Sequence, residues 1–142
     1  MKKQIIALAF LLTVIVSCEI TPEPINYGVD GCHYCSMTIV EKQHAAEYIT
    51  NKGKAFKFDS IECMLNSLKE VDRTKIALYL VDDYGNPGEL IDASAATYLI
   101  SKNMPSPMGA FLSAFGNEET GKVVRAEQGG QLFSWVALQK RF

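Results

Sequence analysis

The run Gly31-Cys32-His33-Tyr34-Cys35-Ser36-Met37 places two thiols, an imidazole and a thioether within six residues. Thiolate and thioether sulfurs are soft donors, and soft donors select Cu(I). Cys35 and Met37 are separated by one residue, so in an extended segment both side chains face the same way and one ion can bridge them. Two or three sulfur ligands suit Cu(I), whereas Zn(II) ordinarily takes four, commonly from Cys and His. Downstream only Cys63 and His44 remain, at a spacing that resembles no zinc finger.

Two further stretches carry candidate donors. Met104-Pro105-Ser106-Pro107-Met108-Gly109 holds two methionines in a proline-constrained loop, where a thioether is either a core filler or a soft ligand. Asp59 and Cys63 are four residues apart at the start of an expected helix, on one face and one turn from its positive end, which would acidify the thiol. The plain alternatives are that Cys63 and Met64 belong to an apolar helix face, that His33 is a loop residue, and that His44 and Met104 are structural. Cys32-x-x-Cys35 also has the spacing of a redox pair. Such pairs open a helix that follows a strand, whereas here a proline-rich segment precedes and the β-branched Thr38-Ile39-Val40 follows. A Cys32–Cys35 disulfide remains open, and the rival function is an extracytoplasmic thiol enzyme (a disulfide exchanger or organometal lyase) using Cys32, Cys35 and Cys63.

The amino terminus sets the compartment. Lys2 and Lys3 precede an apolar run over residues 5–16, too short for the roughly 20 residues that cross a bilayer, so residues 1–17 read as a signal peptide. Ile15-Val16-Ser17-Cys18 resembles the bacterial lipobox, which makes Cys18 the expected lipidation site and the protein extracytoplasmic, anchored on the periplasmic side of a bacterial membrane. Residues 18–28, with Pro22 and Pro24, read as an extended tether with little to pack. Setting Cys18 aside leaves Cys32, Cys35 and Cys63, an odd number outside the cytoplasm, so at least one thiol is unpaired unless buried, reactive or metal-bound. The net charge of −2, with no stretch of Lys and Arg interleaved with aromatics, gives nucleic-acid binding no support.

Positioning these residues falls to short elements. Strands are expected over residues 37–40, 44–50 and 54–59, with a turn at Gly53. Ser60 is an expected N-cap, and Ile61, Met64, Leu65 and Leu68 recur at helical spacing over residues 60–70. Strands over residues 76–81, 89–93, 97–101 and 108–115 follow, then a helix capped by Asn117 and stopped by Gly129-Gly130. A last strand over residues 132–134 leads into a terminal helical turn from Trp135. The order is α+β: two small ββαβ-like halves with short antiparallel sheets, about 29–74 and 75–142, within one domain over residues 29–142.

The chain resembles the NosL family of copper-binding lipoproteins associated with maturation of nitrous oxide reductase. The resemblance rests on the lipobox, Cys35-Ser36-Met37-Thr38-Ile39, Phe58-Asp59-Ser60-Ile61-Glu62-Cys63-Met64, Val81-Asp82-Asp83, Ile91-Asp92-Ala93, Pro107-Met108-Gly109 with Ala114-Phe115, and Trp135 after the glycine pair. It implies two ββαβ-like halves and a Cu(I) chaperone without enzymatic activity. It implies Cys35 and Met37 as copper ligands with Met108 as the third, leaving Cys32, His33 and Cys63 as subordinate candidates. The partners it implies are a membrane ABC-type assembly complex and, through it, apo nitrous oxide reductase. Cys32 and His33 ahead of the Cys-x-Met motif depart from the family pattern.

Overall fold

The computed structural model describes residues 20–142. The signal peptide and Cys18 lie outside the described residues. Among the described residues no helix is long and apolar enough to cross a membrane.

The first sheet forms because residues 46–58 alternate about a tight turn. Strands β1 (Ala46–Thr50) and β2 (Ala55–Phe58) pair as a hairpin, with Ala46 opposite Phe58. Phe56, Phe58 and Tyr48 stack on the inner face, with centroids 5.0 and 5.3 Å apart. Phe58 is fully buried; truncating such a phenylalanine to alanine typically costs about 3–5 kcal/mol. Ser60 ends the strand with an extended backbone and accepts the Cys63 N–H, which starts helix α1 (Ile61–Ser67). Ile61, Met64, Leu65 and Leu68 of this segment are buried in the core. A 3-10 turn (Arg73–Lys75) returns the chain to β3 (Ile76–Asp82), which pairs antiparallel with β1, and β4 (Leu90–Asp92) then pairs with β3. The sheet order is β2-β1-β3-β4.

The second sheet repeats the pattern. Strands β5 (Thr97–Ile100) and β6 (Leu112–Phe115), helix α2 (Glu118–Gln128) and β7 (Gln131–Ser134) form a sheet of order β6-β5-β7, and α3 (Trp135–Arg141) closes the chain. In each half the first strand is central, its hairpin partner lies on one side, and the strand after the helix lies on the other. This is the expected α+β architecture of ββαβ halves. The dividing line at residue 74/75 is corrected: β3 and β4 belong to the first sheet, so the halves part between β4 and β5. Periodicity within a strand carries no information about which distant strand it pairs with. One core serves both halves, and Trp135 bridges them, 5.8 Å from both Tyr79 and Tyr98.

One expected strand does not form and another is shortened. Over residues 37–40 only Thr38 pairs, in an isolated bridge to Gly31, because Ser36 (φ 65°) folds the segment back on its own chain. Over residues 108–115 the strand starts only at Leu112. Pro105 and Pro107 lack N–H donors, and Gly109 (φ 75°) and Phe111 (φ 59°) adopt left-handed backbone.

The expected tether is fastened to the sheet. Pro22 lines a surface cavity together with residues of β3, Glu23 N–H donates to Glu47 on β1 at 3.0 Å, and Lys57 on β2 donates to the Pro24 carbonyl at 2.8 Å. Ile25 is buried in the core. The Tyr27 hydroxyl, 2.8 and 2.9 Å from the two carboxylate oxygens of buried Asp82, donates to that group. A single apolar side chain and a phenol are enough to turn a tether into a strap.

Burial raises Asp82 from 3.8 to about 7, although the Tyr27 hydrogen bond favours its ionised form, and burial raises Glu47 from 4.5 to about 6. The native state therefore keeps a proton on Asp82 that the unfolded chain has released above pH 3.8. That contribution is complete below the unfolded value and is lost as pH rises through about 7. Asp82→Asn carries no such proton. Thermal denaturation of the two proteins is expected to favour the Asn variant progressively between pH 5 and about 7; a melting-temperature difference independent of pH would contradict the assignment.

Candidate metal centre

Two short segments with strong local constraints bring the site together. In the first, Cys32 N–H donates to the Met37 carbonyl at 2.7 Å and Ser36 N–H to the Cys32 carbonyl at 3.0 Å, closing a tight loop around Cys35. His33 N–H donates to the Lys57 carbonyl at 2.8 Å, which stitches the loop to β2. In the second, β2 runs out through Asp59 into the Ser60 cap, which sets Cys63 in the first turn of α1. One ligand atom from each of Cys32, Cys35, Asp59 and Cys63 lies within 4.8 Å of all the others.

Burial is graded across this group. Cys32 and Cys63 are 3% and 1% exposed, Asp59 is buried, and Cys35 is half-buried, so Cys35 is the sulfur that meets solvent. The three thiols form no disulfide. The Cys63 thiol donates to Cys32, and the N–H groups of Cys35, Asp59 and Tyr34 also point at that sulfur; together they outweigh burial and lower Cys32 to about 6. Cys63 keeps its proton, its pKa raised by that same hydrogen bond and by burial. Cys35 is raised by burial, with the charges of Cys32 and Asp59 adding to the effect. Of the three thiols Cys32 is therefore the one whose thiolate is favoured, cradled by backbone donors. Asp59 Oδ1 is buried without a hydrogen-bond partner, an arrangement that favours an incoming positive charge or proton.

The expected ligands are distributed unequally over this geometry. Cys35, Cys32 and Cys63 are brought together. Cys35 and Met37 do not lie on one extended segment, because the left-handed Ser36 turns the chain between them. Met37 and Met108 are 54% and 44% exposed, unusual for thioethers. His33 is not in the group; its ring stands edge-on to Phe56 at 4.6 Å. Met104 is buried with Leu99 and Phe115, and His44 is buried between Glu41 (2.9 Å) and Ser113 (3.3 Å). Cys18 lies outside the described residues.

Sequence reasoning missed the residue that fastens the Met108 loop. Glu62, buried beside Cys63, accepts from the Ser106 hydroxyl and from Ala110 N–H at 3.2 Å. The loop is thereby tied to the turn of α1 that carries Cys63. An acidic residue in a first helical turn ordinarily reads as a dipole partner, so nothing local signalled a link across the two halves.

A family model described as NosL matches residues 27–141. The copper-binding lipoprotein NosL of Stutzerimonas stutzeri is 30% identical over 127 residues, covering 83% of this chain and 67% of its own. The crystal structure of the copper chaperone NosL from Shewanella denitrificans matches with a TM-score of 0.71 at 20% identity, covering 82% of this chain and 93% of that chain. At that identity the likeness establishes the shared fold. Neither relative is named as an enzyme.

The charge state of the group is directly measurable. In the reduced, metal-free protein, thiolate absorbance near 240 nm is expected to rise with a midpoint at about pH 6, and Cys32→Ser is expected to remove that step. Persistence of the step in the variant would assign the thiolate elsewhere.

Proposed function

This chain belongs to the NosL family, and from that premise we propose that it is a carrier which takes up copper as Cu(I) and passes it on, rather than an enzyme. The observation that carries the proposal is the convergence of three sulfurs within 4.8 Å at the solvent edge of a small fold. Three soft donors and no imidazole favour Cu(I) over Zn(II) or Cu(II). A monovalent ion also suits a group that favours one thiolate and shares its protons tightly.

Cys32, Cys35 and Cys63 form the seat. Loading displaces thiol protons, as metal binding to cysteine does generally, and the unpartnered Asp59 oxygen stands where a proton from Cys63 can be received. A carboxylate is a hard donor, so Asp59 serves the protons better than the ion. Met37 and Met108 keep the place that the family resemblance gives them as copper ligands. Their exposure suits thioethers that meet the ion as it enters and leaves, exchanging stepwise with the seat. The lipoprotein name of the Stutzerimonas relative supports a lipid anchor at Cys18, on the periplasmic side of a bacterial membrane. By the same resemblance the recipient is apo nitrous oxide reductase, reached through a membrane ABC-type assembly complex.

Anaerobic titration of the reduced protein with Cu(I) against a competing chelator is expected to show one tight equivalent. Replacing any one of Cys32, Cys35 or Cys63 by serine should weaken it by about 100-fold or more, since even groups behind the ligands are worth 10–100-fold. Met37→Leu with Met108→Leu should change affinity less and slow transfer to an acceptor chelator. Unchanged affinity in all three cysteine variants would remove the site.

A further inference from the structure

The end of the first sheet opposite the sulfurs carries a concentration of positive charge that copper binding leaves unused. Strand β1 ends at Thr50 opposite Ile76, so the hairpin turn and the start of β3 form one tip. Exposed Lys52, Lys54, Arg73 and Lys75 gather there, although the whole chain has a net charge of −2. The counter-charge is slight: Asp72 lies 3.6 Å from Lys75, both side chains largely exposed, and Arg73 donates through Nε to the Leu68 carbonyl rather than to an acid. Between the lysines lies a groove of about 440 Å³ walled by Thr50, Asn51, Phe56 and the aliphatic stems of Lys52, Lys54 and Lys75. Lys54 Nζ stands 4.6 Å over the Phe56 ring. Cations snorkelling around an apolar floor suit a layer that is anionic outside and apolar beneath.

The route of the strap says which layer is in reach. It crosses the outer face of the sheet from Pro22, which lines a cavity with residues of β3, by Glu47 on β1, to Lys57 on β2. Glu47, which accepts the Glu23 N–H, pairs with Leu80, four residues from the start of β3, so the strap crosses about 13 Å from the tip. Cys18 is four residues before Pro22, a span of up to about 14 Å. An acyl chain on Cys18 therefore enters a bilayer within reach of the lysine-rimmed tip. Resting on the lipid anchor proposed above, we propose that the tip formed by Lys52, Lys54, Arg73 and Lys75 lies on an anionic phospholipid surface and orients the anchored domain. Lys54 precedes β2 and Asp59 follows it, a span of roughly 17 Å along the strand, so the lipid contact and the Asp59 end of the sulfur group lie at opposite ends of β2.

The test uses the lipidated mature protein in vesicles of phosphatidylcholine alone or mixed with phosphatidylglycerol, treated with a membrane-impermeant lysine-acylating reagent and read residue by residue. On the anionic vesicles, labelling of Lys52, Lys54 and Lys75 is expected to slow roughly tenfold, while Lys42 at the opposite end is unaffected. High salt should erase the difference by screening. The triple variant Lys52→Glu, Lys54→Glu, Lys75→Glu should lose the vesicle-dependent amide-exchange protection of residues 51–54 while still floating with the vesicles. Labelling equal on both vesicle types, or slowed at Lys42 instead, overturns the orientation while leaving the anchor intact. Protein that does not float with phosphatidylcholine vesicles overturns the anchor itself, and the orientation with it.

Discussion

Crowding three sulfurs and a carboxylate within 4.8 Å of one another is electrostatically unfavourable, and the rest of the first half is arranged around making it tolerable. The loop over residues 32–37 turns its amides inward on Cys32, and Cys63 contributes a proton instead of a second charge. Both devices depend on position. The loop must be stitched to β2 by the His33 amide, and Cys63 must be in the first turn of a helix whose cap immediately follows Asp59. Hairpin, cap and loop thus serve one requirement: holding three sulfurs and a carboxylate in one small group.

Legibility from sequence divides along a physical line. Features set by neighbours in the chain were readable. Ser60 caps α1, Asn117 and Gly129 bound α2, and the turn at Gly53 joins β1 to β2, because capping and turn chemistry act over a few residues. The chemistry of the donors was readable too, since softness belongs to sulfur wherever it lies. What was not readable depended on distance or on an unusual backbone. Serine at positive φ has no reliable signature, so the turn at Ser36 is not visible in the sequence, where Thr38-Ile39-Val40 points to a strand. The deep burial of Cys32 and Cys63 and their closeness to Cys35 emerge only when β2 and α1 fold under the loop. Glu62 reaches Ser106 across 44 residues of sequence, a relation that local pattern cannot contain.

The strap shows the same division. Its prolines and polar residues read as linker, yet Ile25 and Tyr27 dock it, and the price is two buried carboxylates, Glu47 and Asp82, whose charged forms are disfavoured. Fastening the segment that precedes the domain shortens the effective leash between any anchor and the fold. A loose tether would leave the domain tumbling above its attachment point; a docked one limits it to a narrow range of poses.

Trp135, the single tryptophan of the chain, stands between the two sheets. Removing either half would bare the inner face of the other along with this indole. The likeness of the two halves is therefore architectural, and the indole packed against Tyr79 of one sheet and Tyr98 of the other ties them into one core.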